Sequence, residues 1–429
     1  MNNLSIRRVL PLLLSTLSVP AMAQTVLPGD GLQGAMQGFP PPADRIVNHV
    51  NQIEPQNLRW TLGHMRMILP TETIRRGAGP ASALPAGKPM TPPAFHDSDG
   101  TEINFEQWMR RTHADALLVL HKGRIVFEGY AQGVDPAAPH TMQSVTKSFT
   151  GIAALMLIEE GKIDRNAPLS RYVPELARSA WGDATIQQTL DMTVAVRYNE
   201  DLKDPNSDVR RAYAFASGSF APPPGYTGPR HIYEMLQGLP REGEHGQGFT
   251  YKTVNPEAIA WVVSRVSGQK PAQFISDRIW SRIGAEADAY VTVDPAGTDM
   301  MGGGMSATAR DLARFGEMLR LDGRFNGQQI VPAAAVRDIF KGGDVAKFRA
   351  DPLRHSMTGY SYHDFWWKPP APRVIQALGG FGQHIYIDRT AQTVIVKYSS
   401  ATIGAPYDES KRLDPLGFAA ISASLAARK

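Results

Sequence analysis

The segment from Thr141 to Gly161, T-M-Q-S-V-T-K-S-F-T-G-I-A-A-L-M-L-I-E-E-G, constrains the fold more than any other. Its residues Phe149, Ile152, Ala153, Leu155, Met156, Leu157 and Ile158 cover most of the circumference of a helix, which predicts a helix inside a domain rather than on its surface. Glu159 and Glu160 precede Gly161, a residue suited to the left-handed position that ends helices, so the helix is expected to stop there. At the other end Ser144 and Lys147 are one turn apart and share a face. A hydroxyl thus meets an amine at the mouth of an apolar helix.

That pair has a chemical reading. A serine hydroxyl attacks poorly until a base takes its proton, and a lysine is a poor base until burial or positive surroundings lower its pKa. The start of a buried helix offers both, and the free amide of Ser144 could hold a developing oxyanion. The plain alternative is a serine near a helix start followed by a solvated lysine, since S-x-x-K also recurs by chance.

The remaining composition narrows the choices. The 429 residues contain no cysteine, which excludes thiol nucleophiles, zinc thiolate sites and iron–sulfur clusters and implies a core that needs no disulfides. With 45 basic and 41 acidic residues and no basic block, nothing supports a nucleic-acid partner. A basic start, a short apolar run and Ala21-Met22-Ala23 read as a secretory signal over residues 1–23, cut after Ala23, so the mature chain is expected to be secreted or periplasmic, with no membrane span. Residues 24–95 are rich in Pro, Gly and Ala and read as an extension packing at an edge, with a short helix near Ile46 to Ile53. Gly29 to Gly34 matches G-x-G-x-x-G, but no strand precedes it, so a dinucleotide loop is not expected. No cofactor and no metal ligand set is expected, and His384 reads as a strand residue.

Residues 96–429 read as the folded domain. Apolar runs flank Lys122-Gly123 as a β-hairpin, helices follow Gly161 in a subdomain over roughly 165–320, and 199–250 read as loops over a site. Helices are expected over Ala258 to Val266, Pro271 to Ile283, the run after Gly302-Gly303-Gly304, and Pro415 to Ala426. Strand-like runs such as H-I-Y-I-D and T-V-I-V-K-Y fill the C-terminal part, with Trp366 and Trp367 expected in cross-strand packing. The expected fold is α/β (α+β): an antiparallel sheet from both chain ends, flanked by helices, with a mostly helical insertion.

In this order the motifs resemble the serine β-lactamase and penicillin-binding-protein superfamily, class C-like, over residues 100 to 429. Ser144-Val145-Thr146-Lys147 resembles its first motif, Tyr251-Lys252-Thr253 its Tyr-x-Asn motif, and Gly379-Gly380-Phe381-Gly382-Gln383 falls where the third belongs. Within it the chain looks most like the 6-aminohexanoate-dimer hydrolases and family VIII carboxylesterases, through W-G-D-A-T-I-Q-Q-T-L-D-M-T-V-A-V-R-Y-N-E-D. The resemblance implies Ser144 as nucleophile, Lys147 as its base, and Tyr251 as proton relay to the leaving group. It implies an oxyanion hole from the amide of Ser144 and that of Gly380 or Phe381, and substrate contacts from Tyr198, Thr253 and Gln383.

Two departures bear on specificity. Thr253 stands where Asn is usual, and the third motif has neither Lys nor His, so an anionic β-lactam lacks its electrostatic anchor. The leading expectation is a serine hydrolase opening a small-molecule amide or ester through an acyl-enzyme. The alternatives are β-lactamase or D-Ala-peptidase activity, or a non-catalytic binding protein keeping the fold. The absence of G-x-S-x-G, H-E-x-x-H and a P-loop sets other hydrolase classes aside.

Overall fold

The computed structural model describes residues 24–351 and 357–428, so the signal segment read over residues 1–23 lies outside the described residues. Its frame is an eight-stranded sheet. Across that sheet the order is Thr25–Leu27, Arg124–Ala131, Ala114–His121, Thr393–Ser399, Gln383–Asp388, Val374–Gly379, Trp366–Lys368 and Ser361–His363. The hairpin at Lys122-Gly123 forms as read, because both residues take the positive φ that a tight two-residue turn requires (52° and 74°). The sheet is mixed rather than antiparallel: Thr25–Leu27, from the Pro/Gly-rich extension, joins the edge parallel to Arg124–Ala131.

Each face of the sheet is covered by helices. Phe105–Arg111 and Ala405–Ala426 enclose a smaller core around Trp108 and Phe418 on one side. Ala309–Arg320 covers the other, and behind it Thr146–Glu159 is held by Phe149 stacked on Phe315 (centroids 3.9 Å apart). That helix packs in turn on Val254–Ser267. Residues 146–157 are all buried, as the all-round apolar pattern requires. A second, four-stranded sheet joins Thr71–Ile74, Ala289–Thr292, Met305–Ala307 and His140–Thr141 and carries the Gly302–Gly304 turn to the start of the buried helix.

Two helix expectations are corrected. No helix forms over residues 46–53, where 49–53 are turns, because the Asn48 and Asn51 side chains bond nearby backbone, and the helix starts at Pro55, running Pro55–Gly63. The closing helix begins at Ala405, ten residues before the expected start, with Pro415 inside it. The polar first half hid it, because Ser410 and Asp414 face the core as a hydrogen-bonded pair.

Candidate active site

The nucleophile turn is built by local geometry. Gln143–Val145 is a 3₁₀ turn leading into the α-helix, and in a 3₁₀ turn residues three apart eclipse one another. Ser144 is thereby set over Lys147, whose Nζ donates to Ser144 Oγ at 2.7 Å and to the Gly302 carbonyl at 2.5 Å. Lys147 is 1 % exposed. Burial lowers its pKa to about 8, and the Glu200 and Glu257 charges only partly oppose this.

Glu257 fixes the carbonyl that holds the lysine. It accepts the amides of Gly302 (2.8 Å) and Met301 (3.0 Å) and the Tyr213 hydroxyl (2.7 Å), and burial raises its own carboxyl to about 7. A Cβ at position 302 would lie 2.6 Å from Glu257 Oε1, so only glycine allows this approach. Thr146 Oγ1 accepts from Met305 N, and Met142 N donates to Met305 O, so the glycine-rich turn is sewn along the start of the helix. Motif reading missed Glu257 and Glu200. The only signal for Glu257 was an acid on an otherwise apolar helix face.

Tyr251 completes the group: Lys147 Nζ lies 5.1 Å from its ring centroid, and the ring stacks on Trp367 (5.5 Å, 27°). Trp367 also meets Tyr362 across the strand pair, so cross-strand packing and the site wall are one contact. The third-motif strand Val374–Gly379 comes close enough that a Cβ on Gly379 would lie 2.4 Å from Met142 O. It leads into Gly380–Gly382, where Phe381 is left-handed (φ 62°), so the backbone of Gly380 and Phe381 turns beside the Gln143–Val145 turn. Gly379→Ala must push these two segments apart. Because the glycine's own φ of −127° suits alanine, the expected result is a correctly folded enzyme whose acylation slows by about 10²-fold. Burst kinetics alongside thermal melting separate that from misfolding.

The expected substrate contacts are placed differently. Gln383 is a correction: it is fully buried, its Nε2 donates to Ser399 O (2.6 Å) and Gly380 O (3.1 Å), and its Oε1 accepts Ser399 N. Its amide is spent on shaping the third-motif turn. The Thr253 hydroxyl donates to Glu200, which also takes the Thr253 amide at 2.8 Å. Tyr198 is 4 % exposed, its hydroxyl is closed off without a hydrogen bond, and its carbonyl accepts Lys252 Nζ. His384 is a buried strand residue 3.2 Å from Asp414.

Comparison with known proteins bears on the family and the fold. The Beta-lactamase family model matches residues 102–415. A curated 6-aminohexanoate-dimer hydrolase of Paenarthrobacter ureafaciens is 34% identical over 351 residues, covering 81% of this chain and 86% of that protein. A Bacillus anthracis structure, provisionally titled a 6-aminohexanoate-dimer hydrolase, superposes with a TM-score of 0.82 at 30% identity, covering 90% of this chain and 98% of that one. A family VIII carboxylesterase shares the fold alone (TM-score 0.53, 16% identity, 71% of this chain and 92% of that one).

Proposed function

Because the chain belongs to the Beta-lactamase family and is a serine hydrolase of the amidase and carboxylesterase kind, we propose that Ser144, Lys147 and Tyr251 carry its chemistry. One observation carries the reading: a fully buried lysine with its pKa lowered to about 8 donates to a serine oxygen 2.7 Å away. Neutral Lys147 takes the Ser144 proton as Oγ bonds to the substrate carbonyl carbon. The amides of Ser144 and of Gly380 or Phe381 hold the oxyanion. On collapse the C–N or C–O bond breaks, Tyr251 protonates the leaving amine or alkoxide, and the Lys147 ammonium restores the Tyr251 proton. Water then attacks the acyl-enzyme by the same relay and frees the acid.

The substrate class proposed is a linear amide or small acyl ester. The aromatic wall of Phe249, Tyr251, Tyr362 and Trp367 suits an apolar acyl or amine chain. Among the described residues the third motif carries no cation for a β-lactam carboxylate, which argues against the penicillin-type alternative. Export through residues 1–23 belongs to this proposal, and no helix among the described residues is long and apolar enough to cross a membrane.

A fluorophosphonate probe should label Ser144, and p-nitrophenyl esters or 6-aminohexanoate oligomers should turn over while nitrocefin is cleaved weakly or not at all. Ser144→Ala should abolish both labelling and turnover. An unlabelled wild type would mark a binding protein instead, and rapid nitrocefin turnover would overturn the reading of the third motif.

A further inference from the structure

The departure at Thr253 is answered by a residue that no motif contains. The helix Val254–Ser267 starts at Thr253, where the resemblance places an asparagine. Branching at Cβ lets the threonine make two contacts at once. A Cβ on Gly302 would lie 2.9 Å from Thr253 Cγ2, so the methyl packs on the glycine whose carbonyl holds Lys147. The hydroxyl, on the other branch, donates to Glu200, whose Oε2 also accepts the Thr253 amide at 2.8 Å.

Glu200 comes from the loop after Tyr198 and is only half-buried. Its carboxylate is thereby planted on the N-terminus of a fourteen-residue helix, where free amides and the helix dipole favour negative charge. Burial raises its carboxyl above the ordinary value, and the Lys147 charge and both Thr253 bonds act against that rise.

The surrounding groups leave the charge standing. Lys252, the other amine nearby, donates to the Tyr198 carbonyl. The phenols of Tyr198 and Tyr213, which burial and the nearby carboxylates keep protonated, bring no positive charge. Glu257, the second carboxylate that acts on Lys147, is occupied by the amides of Met301 and Gly302. Once Lys147 is neutral, the form that takes the Ser144 proton, the side chains around it are negative in sum, and the third motif offers no cation to offset them.

We propose that Glu200, anchored on Thr253, is a specificity-determining group: it stands in for the asparagine of the motif and, as a fixed negative charge beside Lys147, rejects acyl and leaving groups that carry a carboxylate, so that the substrates are neutral or cationic linear amides and esters. This rests on the reading of Ser144 and Lys147 given above. A carboxylate on the substrate meets like charge as it enters, whereas an uncharged chain or an ammonium does not. The same charge favours the protonated lysine, so its removal lets Lys147 lose its proton at lower pH. Sequence reading found the exchange at position 253 but not its partner, because Glu200 lies in a loop more than fifty residues away.

The test compares the full-length wild type with Glu200→Gln, which keeps an oxygen for Thr253 and drops the charge, and with Thr253→Val, which removes one anchor of the carboxylate. Values of kcat/KM are measured for p-nitrophenyl valerate against mono-p-nitrophenyl adipate, and for methyl p-acetoxybenzoate against p-acetoxybenzoate, from about pH 5.5 to 9.5. Wild type should favour the uncharged member of at least one pair by about 10–10²-fold. Glu200→Gln should narrow that preference by about tenfold and move the pH limb of the uncharged ester down by about half a unit to one unit. Thr253→Val should do both to a smaller extent. A wild type without a preference would overturn the proposal, as would a Glu200→Gln enzyme whose ratio is unchanged or whose loss is shared equally by both members of a pair. Should Glu200→Gln fail to fold, Thr253→Val and the wild-type ratios still decide. A wild type that is labelled at Ser144 and gains activity through about pH 8 keeps the Ser144 and Lys147 reading even then, so the two readings fail separately.

Discussion

Lys147→Met should lower kcat/KM by roughly 10²–10⁴-fold while the protein stays folded. Methionine has nearly the shape of the lysine stem, so the packing of the buried helix survives. Its cost is a Gly302 carbonyl left without its donor, about 1–3 kcal/mol, partly offset because a buried amine no longer has to be desolvated. The wild type supplies the matching pH signature. Burial lowers the Lys147 pKa to about 8 and the neutral form is the base, so activity increases with pH through that value and falls about tenfold per unit well below it. Esterase kinetics from about pH 5.5 to 9.5 with a pH-stable ester show the limb. A flat profile, or a Lys147→Met enzyme within tenfold of wild type, would remove Lys147 from the role of base.

The sequence exposed this pair because its geometry is local: two residues three apart across a 3₁₀ turn and the helix it leads into are placed by the backbone alone. The carboxylates that tune it were not legible. Glu257 reaches the amides of Met301 and Gly302 across more than forty residues, and Glu200 meets Thr253 from a loop with no periodicity. Gln383 shows the opposite error. It stands beside the third motif in sequence, but in a strand neighbouring side chains alternate faces, and pairing with Gly379 turns its amide inward onto Ser399. That one sheet draws on both ends of the chain followed from the apolar runs there, whereas the parallel edge strand Thr25–Leu27, three residues long, has no period to read. Pro415 misled for a physical reason: a proline is a common first residue of a helix, and only the Asp414 contacts show that this one lies inside.

Those contacts carry the largest stability effect expected in the chain. Asp414→Asn should destabilise the fold by about 3–5 kcal/mol, because it leaves the wholly buried Lys397 ammonium, now 3.0 Å from Asp414 Oδ2, without its counter-charge. Asp414 also accepts from Trp108 Nε1 at 2.7 Å and from Ser410, so this one carboxylate joins the sheet to both helices on that face. Thermal melting should register a fall of roughly 5–15 °C. Adding Lys397→Met removes the stranded charge, and the double variant should recover much of the loss, since an uncharged pair of similar volume is often as stable as a buried ion pair. The dependence on pH has a definite sign. Burial pushes the Asp414 carboxyl up, but the Lys397 charge and the hydrogen bond from His384 outweigh it and hold the pKa at about 2, below the ordinary 3.8. A depressed carboxyl contributes stability that is present above its unfolded pKa and disappears as pH falls through its folded one. The gap between wild type and Asp414→Asn should therefore narrow by about 2 kcal/mol as pH drops from about 4 to about 2. A single variant that melts within about 1 kcal/mol of wild type, or a double variant less stable than the single, would show that the ion pair does not hold this face together.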